Sequence, residues 1–490
     1  MKRSTWRKQH KWWGIGVGLF LLMFCISGIL LNHRSLLLNQ NISRRWLPPH
    51  YQYTNWNQGL LRGTVAFHNT SGEKQVLLYG NQGVWRLDSL GGNVTDFNRG
   101  LPKGADYRQI KALCQLPGGE WLALSPFRLY RYKNSAQMWV PVATPLPPND
   151  AWTDMLLQGD SLLLLSRSHL YIASGNLKKW KKHSFRAPEN YTNKVSLFRT
   201  VWLLHTGEIA GTTGKIVVDA VAVILILITL TGWAYWLLPK YIRAQRKKGK
   251  NTKRAIGSLQ RNRKWHKRLG TTTIVLTLFV AITGWCLRPP VLIFLATHKT
   301  PPIPRSKLDS PNPWHDKLRM IRYDAQQQEW LISTSEGFWS LKTLQSLPEP
   351  LKQAPPVSVM GLNVWRPENH GQWLCGSFSG LYVWDRDSGK VTDWFTGEAV
   401  KETAGPPFGK RAVAGVSADF GNLIVAEYDN GTTLLQQPQE MKNLPMSVWN
   451  VALEIHTGRI YIGNIATYIF IFLVGGGIVW SLWSGWRLRN

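Results

Sequence analysis

Four apolar stretches constrain the fold of this chain more than any other feature. They are predicted to be membrane spans at residues 13–32, 216–238, 270–287 and 460–486. A crossing helix needs about 20 apolar residues, and each stretch comes close to that length. The mean hydropathy of −0.19 is too low for a chain that lies mostly in the membrane. We therefore expect a few spans that carry large soluble segments.

The first apolar stretch is predicted to remain as a span. It ends in ISGILLNHRS, which lacks the small-x-small pattern of a signal-peptide cleavage site.

Lysine and arginine predict the orientation of the spans. Five of the first eleven residues are basic, and thirteen lie between Lys240 and Arg268 without any acid. By the positive-inside rule, the cytoplasmic side carries the N-terminus, the basic loop and the C-terminal tail: residues 1–12, 239–269 and 487–490. Two large segments, 33–215 and 288–459, then lie outside. These basic segments explain most of the net charge of +31, so nucleic-acid binding is not expected. The basic loop could also bind anionic lipid headgroups, although its role as a topology signal is the simpler interpretation.

The two outer segments repeat one short phrase, an apolar strand, a turn and an aromatic strand. It occurs as KQVLLYGNQGVWRLD, GEWLALSPFRLYRYK and DSLLLLSRSHLYIAS in the first segment, and as QEWLISTSEGFWSLK, GQWLCGSFSGLYVWD and, more weakly, GNLIVAEYDNGTTLLQ in the second. Each phrase predicts two short antiparallel strands. The spacing suits four-stranded propeller blades, and too few repeats exist in either segment to close a ring alone. We expect one all-β, propeller-like domain of about six blades, three from each segment; the alternative is two separate small β-domains.

Histidines at the span boundaries occur in matched positions. His10 and His266 precede spans one and three, and each is followed four residues later by glycine and eighteen residues later by the end of a Ser/Thr-Gly pair. His205 and His456 precede spans two and four within a shared His-Thr-Gly motif. The chain therefore divides into two similar halves, and we expect an α+β membrane protein with a pseudo-two-fold bundle of four transmembrane helices.

Matched histidines on packed helices suit haem, because a neutral imidazole is a good axial ligand for haem iron. In a pseudo-two-fold bundle, His10 would face His266 on the inner side and His205 would face His456 on the outer side. This arrangement predicts one or two b-type haems stacked across the bilayer. His33, at the outer end of span one, is an alternative ligand. The competing interpretation is that these histidines are ordinary interfacial residues.

Other chemistry-bearing patterns in the sequence are sparse. Asp219 lies inside span two, where an acid is either functional, paired or solvated. Four cysteines exclude a disulfide scaffold. The sequence has no nucleotide-binding, phosphate-binding or nucleophile-elbow motif. An electron donor would therefore be another molecule, either a quinol or a separate reductase.

The span sequences WRKQHKWWGIGVGLFLLMFCISGILL, LLHTGEIAGTTGKIVVDAVAVILILITLTGWAYWLLP and WHKRLGTTTIVLTLFVAITGW resemble the PepSY-associated transmembrane family of bacterial inner-membrane proteins. That family includes ferric-siderophore reductases with haem in the four-helix domain. The resemblance implies haem ligation by His10, His266, His205 and His456, and electron delivery outward to a ferric siderophore or another ferric chelate. It also implies a multi-pass protein of the inner membrane with both termini cytoplasmic and the large segments periplasmic.

The chain departs from the family pattern in two ways. Propeller-like repeats stand where members often carry PepSY domains, and span four lacks a Thr-Gly pair. Two other functions therefore stay open. One is a non-enzymatic, membrane-anchored propeller that binds a partner protein or ligand, and the other is an accessory subunit of metal or siderophore uptake.

Overall fold

The structure, a computed structural model, describes residues 2–148, 150–174, 177–358, 360–400, 409–461 and 465–488. The chain divides into two compact units. The helical unit comprises Met1–Leu37, Thr192–Ser310 and Val448–Asn490, and the β unit comprises Leu38–Tyr191 and Pro311–Ser447. Both outer segments thus contribute to one β unit, and the alternative of two separate β-domains is wrong.

The helical unit is built from long apolar helices and short amphipathic ones. Its α-helices are α1 (Arg3–Asn32), α2 (Arg34–Leu37), α3 (Leu197–Thr206), α4 (Gly211–Lys247), α5 (Lys253–Thr272), α6 (Ile274–Cys286), α7 (Val291–Thr297), α8 (Val448–Thr457) and α9 (Ile465–Arg487). Short 3-10 turns occur at Arg44–Trp46, Pro49–Tyr51, Glu208–Ala210, Asn369–Gly371 and Gln439–Asn443.

Three of these helices, α1, α4 and α9, are long and apolar enough to cross a membrane. The third predicted span is divided, because α5 and α6 meet at a bend of 68° beside Thr273. With 13 residues, α6 alone is about 20 Å long, shorter than the hydrocarbon core of about 30 Å. A fourth span therefore exists only if the bent pair is counted as one. In the predicted fourth span, residues 462–464 lie outside the described part, as do 489–490 of the tail.

The segment predicted as a basic cytoplasmic loop, residues 239–269, is mostly helical. Helix α4 continues through Pro239 to Lys247, and α5 begins six residues later at Lys253. Lysine, arginine and glutamine are good helix formers, and α5 packs along α4, which gives the charged segment a partner that the sequence alone did not reveal.

The two His-Thr-Gly motifs end two matched helices. Both α3 and α8 are ten residues long, and each carries its histidine in the last turn. The glycine that follows each helix, Gly207 or Gly458, has φ of +75° or +78°. Left-handed glycine after the last helical residue is a common C-terminal cap, so the motif places each histidine two residues before the glycine that ends its helix.

The β unit consists of short antiparallel strands, and two further strands lie in the helical unit. The strands of the first segment are β1 (Asn41–Ile42), β2 (Gly63–His68), β3 (Lys74–Gly80), β4 (Gly83–Asp88), β5 (Thr95–Asp96), β6 (Ala112–Gln115), β7 (Trp121–Leu124), β8 (Leu129–Lys133), β9 (Met138–Val142), β10 (Trp152–Gln158), β11 (Ser161–Ser166), β12 (Leu170–Ser174) and β13 (Trp180–His183). The helical unit holds β14 (Val195–Ser196) and β15 (Lys299–Thr300). The second segment holds β16 (Leu318–Asp324), β17 (Glu329–Thr334), β18 (Gly337–Leu341), β19 (Glu349–Pro350), β20 (Leu362–Pro367), β21 (Gln372–Ser377), β22 (Gly380–Asp385), β23 (Val391–Asp393), β24 (Val413–Phe420), β25 (Asn422–Glu427) and β26 (Met446–Ser447).

Five four-stranded sheets and one two-stranded sheet follow the chain order, with strands β2–β5, β6–β9, β10–β13, β16–β19, β20–β23 and β24–β25. Two further pairs, β1 with β26 and β14 with β15, join strands far apart in sequence. The first five repeat phrases form the predicted hairpins, β3–β4, β7–β8, β11–β12, β17–β18 and β21–β22. The sixth phrase supplies only β25, which pairs with the preceding β24.

Each sheet packs against the next in sequence through a buried apolar cluster. The first strand of each sheet contacts the first strand of the following sheet, and β24 of the last contacts β2 of the first. Two of these apolar clusters contain residues from both outer segments. Leu163 and Leu165 pack with Ile332 in one cluster, and Leu78 packs with Ala426 in another.

A buried ion pair also joins the two outer segments. Asp154 of β10 is 2% exposed, and its Oδ2 accepts hydrogen bonds from the Ile321 backbone amide at 3.0 Å and from Arg322 Nη1 at 2.6 Å. Burial raises the pKa of the Asp154 carboxyl despite the opposing effect of the Arg322 guanidinium. The folded protein consequently binds a proton at Asp154 more tightly than the unfolded chain does.

We predict that Arg322→Leu destabilises the β unit by about 3–5 kcal/mol near neutral pH, because it leaves a buried carboxylate without its cation. The Arg322 guanidinium lowers the pKa of the Asp154 carboxyl, so its removal raises that pKa further, and protonation at lower pH removes the unpaired charge. The loss of unfolding free energy caused by Arg322→Leu should therefore be smaller at pH 5 than at pH 8. Urea unfolding of the purified protein, followed by tryptophan fluorescence at pH 5 and pH 8, measures this. Arg322→Lys, which keeps the charge, is the control; an equal loss at both pH values would contradict the prediction.

Candidate functional site: two facing histidine pairs

The four matched histidines form two pairs in the helical unit. The imidazole centroids of His10 and His266 are 5.9 Å apart, with the rings inclined at 51°. Those of His205 and His456 are 6.0 Å apart, with the rings inclined at 44°. The partners are those that the duplication of the sequence predicts, and the two pairs have nearly the same geometry.

Each imidazole is held by a hydrogen bond from Nδ1 to a backbone carbonyl of a neighbouring helix. The acceptors are the carbonyl oxygens of Ser481 for His10 (2.9 Å), Ile228 for His266 (3.0 Å), Val280 for His205 (3.1 Å) and Phe24 for His456 (3.0 Å). A carbonyl oxygen only accepts, so Nδ1 must carry the proton. Each ring is therefore fixed in one tautomer when it is neutral.

A Ser/Thr-Gly pair follows each of these carbonyls by three residues. The pairs are Ser484-Gly485, Thr231-Gly232, Thr283-Gly284 and Ser27-Gly28, which hold His10, His266, His205 and His456 respectively. In each pair the hydroxyl oxygen lies 3.0–3.4 Å from the histidine Nδ1. A Cβ placed on the glycine would lie only 2.6–3.3 Å from the imidazole Cε1. The glycine thus makes room for the ring, and the hydroxyl adds a second polar contact.

The two halves of the chain exchange these contacts. His10 of the first half is held by α9 of the second, and His266 of the second half is held by α4 of the first. In the same way, α6 holds His205 and α1 holds His456. Every facing pair therefore depends on both halves.

The opposite ring nitrogen, Nε2, is the one available for coordination. None of the described residues makes a hydrogen bond to Nε2 of these four histidines. A histidine that donates through Nδ1 to a carbonyl presents a basic Nε2 in a fixed direction, which is the usual arrangement around a metal-ligating imidazole. Each pair can thus offer two nitrogen donors to one ion or cofactor.

The number of donors restricts what the pairs can hold. Across the described ranges no group of three or more His, Cys, Asp or Glu side chains could hold a metal ion. Protein sites for bare transition metals generally need three or four side chains. Haem needs only axial ligands from the protein. Two imidazoles that ligate one iron from opposite sides, with metal–nitrogen distances of about 2 Å, have centroids roughly 6 Å apart. The spacing of both pairs therefore fits a bis-histidine haem.

The two pairs lie at different depths of the bundle. His10 belongs to one pair, and the Phe24 carbonyl on the same helix holds the other. The intervening 14 residues of α1 separate these levels by about 21 Å. Between them the helices pack closely, since a Cβ on Gly18 would lie 2.8 Å from Trp233 Nε1.

His33, proposed as an alternative ligand, belongs to neither pair. Its Nε2 hydrogen-bonds to Asp219 Oδ2 at 2.8 Å, and Asn32 Nδ2 donates to the other carboxylate oxygen at 2.9 Å. Of the possibilities open for Asp219, the structure shows a paired acid. The four cysteines are all free thiols.

Sequence reasoning missed one member of the Ser/Thr-Gly set. Span four was expected to lack a Thr-Gly pair, but Ser484-Gly485 takes that role at the end of α9. The signal was present, because Ser27-Gly28 had already shown that serine can replace threonine. The glycines four residues after His10 and His266 do not share a structural role. A Cβ on Gly14 would lie 3.4 Å from Ser481 Oγ, whereas no atom lies within 4 Å of a Cβ on Gly270.

We predict that Gly284→Ala displaces the His205 ring, since the new Cβ would lie 2.6 Å from its Cε1. Alanine in place of helical glycine otherwise stabilises by about 0.5–1 kcal/mol, so Gly270→Ala is the matched control. Solid-state ¹⁵N NMR of histidine-labelled protein should show the His205 imidazole protonated at Nδ1 in the wild type and in Gly270→Ala. In Gly284→Ala the His205 signal should be altered. An unchanged spectrum would refute the proposed role of this glycine.

Comparison with solved structures gives only distant similarity. The extracellular domain of BT4673, a B. thetaiotaomicron protein named as a hybrid two component system, matches with 11% identity and a TM-score of 0.34. The match covers 80% of this chain and 39% of that one. A second structure of the BT4673 extracellular domain, named as a one component system, gives 11% identity, a TM-score of 0.32, and coverage of 84% and 40%. The chain thus spans about two fifths of these proteins, and the scores are too low to support an argument.

Comparison with protein families is more informative. No curated protein matches the chain. The PepSY-associated TM region matches residues 1–238 and 240–488, two ranges that meet where the sequence divides into its similar halves. The chain therefore belongs to the PepSY-associated transmembrane family.

Proposed function

We propose that this protein is a haem-containing membrane oxidoreductase that passes electrons across the bilayer to a ferric chelate, such as a ferric siderophore, in iron acquisition. The observation that carries the proposal is the pair of facing bis-imidazole sites about 21 Å apart along one helix. Two such sites at different depths suit stepwise electron transfer through a membrane better than they suit a structural role.

The residues of both pairs fit haem b. His10 and His266 would ligate one haem, and His205 and His456 a second. The glycine beside each ring leaves the space that a Cβ would fill, and the Nδ1–carbonyl bond makes Nε2 the ligating atom. When bound, haem supplies reversible one-electron chemistry at its iron. The protein sets the orientation and basicity of the ligands, and the apolar helices around them exclude water.

The reaction needs a donor and an acceptor that the chain does not contain. A quinol or a separate reductase would supply the electrons on the His10–His266 side. One electron then converts one ferric ion in the chelate to ferrous iron, and no bond of the chelator needs to break. Because most iron chelators bind the trivalent ion with hard oxygen donors, reduction would weaken the complex and release the iron.

The orientation follows from charge and belongs to the same proposal. The basic residues at the start of α1, in the α4–α5 region and after α9 support a cytoplasmic location for that side, by the positive-inside rule. The protein would then lie in a bacterial inner membrane, with the β unit in the periplasm and His205 and His456 towards the periplasmic side.

We further infer that the β unit is a six-bladed propeller. Five sheets have four strands each, and the contacts between their first strands run in chain order and return from β24 to β2. An apolar cluster fills each space between successive sheets. Such a unit would bind the ferric chelate through its loops, which would set the specificity.

We expect the purified protein to show the absorbance spectrum of b-type haem, with two equivalents per chain. His10→Ala and His205→Ala should each remove one equivalent, because each breaks a different pair. Spectra of the oxidised and dithionite-reduced protein, with pyridine haemochrome quantification, measure this. His68→Ala, at an exposed position of β2, is the control. A folded protein without haem would favour the non-enzymatic binding function instead.

We also expect proteoliposomes to reduce an external ferric chelate when a reductant is enclosed. Ferrous iron trapped by ferrozine should form at least tenfold more slowly with His266→Ala than with the wild type, because the first electron-accepting site is lost. His68→Ala should keep the wild-type rate. Rapid reduction by His266→Ala would contradict the transmembrane route, even if the protein binds haem.

A further inference from the structure

The exposed face of α5 carries an unusual concentration of positive charge. Seven cationic side chains of this helix are exposed: Lys253, Arg254, Arg261, Arg263, Lys264, Lys267 and Arg268. None of the described residues forms a salt bridge with them. The sequence contains no acid between Asp219 and Asp309, so neither α4 beyond Asp219 nor α6 can supply a counter-ion.

Four of these cations form a straight stripe. Arg254, Arg261, Lys264 and Arg268 are separated by seven, three and four residues, which keeps them on one side of a helix with 3.6 residues per turn. The stripe is about 21 Å long. A row of unpaired cations of this length can contact several phosphate groups at once.

Tryptophan side chains accompany the cations on every long helix at this end of the bundle. Cations lie over indole rings at Lys11–Trp12 (5.1 Å), Lys240–Trp236 (3.9 Å), Arg268–Trp265 (6.0 Å) and Arg487–Trp483 (5.7 Å). Tryptophan is enriched at the level of lipid headgroups. The four pairs therefore mark the depth at which phosphates would meet the stripe.

The opposite face of α5 belongs to the interior. Leu259, His266 and Leu269 are only partly exposed, and His266 donates to the Ile228 carbonyl of α4. The bend beside Thr273 interrupts the helix between α5 and α6. The position of His266 therefore depends on how firmly α5 is held against α4, and not on continuity with a spanning helix.

We propose that the cationic stripe of α5 binds the phosphate groups of anionic phospholipids, and that this contact holds α5 and its histidine against α4. Each cation near an anionic surface adds to such binding, so four aligned cations bind more firmly than one. A topology signal needs only a number of charges on one side of the membrane. It explains neither the alignment of these four cations nor the indole on each long helix. An acidic protein is a weaker match for the stripe, because the indoles mark it as a lipid-level surface.

The proposal concerns lipid, does not require haem, and can be tested on the full chain as purified. In nanodiscs of phosphatidylglycerol, we expect amide hydrogen exchange across Lys253–Thr272 to be at least threefold slower than in discs of phosphatidylcholine. Native mass spectrometry should show bound phosphatidylglycerol that survives detergent exchange and is not displaced by inorganic phosphate. Equal exchange and equal lipid retention in the two lipids would overturn the proposal.

A pair of charge-matched variants identifies the surface. The triple variant Arg261→Gln, Lys264→Gln, Arg268→Gln should lose most retained phosphatidylglycerol and exchange equally fast in both lipids. The control Lys179→Gln, Lys181→Gln, Lys182→Gln removes three exposed cations around β13 and should behave as the wild type. If the stripe variant keeps its lipid, or if both triples lose it equally, the stripe is not the binding site. If the stripe variant kept its phosphatidylglycerol but lost binding to an acidic protein, the stripe would be a protein-binding surface and the proposal would be overturned.

Discussion

The hydrogen bond from a histidine Nδ1 to a helix carbonyl is the interaction on which the candidate site depends. A helix carbonyl is normally covered by the side chains of its own helix. An imidazole from another helix can reach it only where a small residue leaves the backbone uncovered. The glycine after each serine or threonine leaves the backbone uncovered. A Cβ on Gly284 would lie 2.6 Å from His205 Cε1, and one on Gly485 would lie 2.8 Å from His10 Cε1. The same bond fixes the tautomer, orients the ring and joins two helices, so one small motif performs three tasks at four places.

The sequence was sufficient to predict the three long apolar helices α1, α4 and α9 and the partners within each histidine pair. Spans follow from the length of apolar runs, which the bilayer dictates. The pairing follows from duplication, because symmetry-related positions meet near the axis. The Nδ1 acceptors could not be predicted, because they depend on the register between helices far apart in sequence, such as α1 and α9. The bend beside Thr273 and the helical form of α5 were missed as well, since no proline lies near the break and the nearest glycine, Gly270, lies three residues before it.

In the β unit, too, structure formed by neighbouring residues was predicted, and contacts between residues far apart in sequence were not. The hairpins were predicted because Val84, Trp85 and their neighbours alternate in the period of a strand around tight turns. The short fourth strands, such as Thr95–Asp96, carry too few residues for a pattern. The Asp154–Arg322 pair joins positions 168 residues apart. Only the fold brings them together, and it makes the two outer segments mutually dependent.

The exchange of contacts between the halves has a consequence for biogenesis. His10 lies in α1, but the carbonyl and glycine that hold it belong to α9, which is translated after the other eight described helices. The His10–His266 pair therefore cannot be completed by any shortened chain, however well its earlier helices insert. Any ligand held between these two imidazoles could therefore be bound only after α9 has been made and has packed against α1.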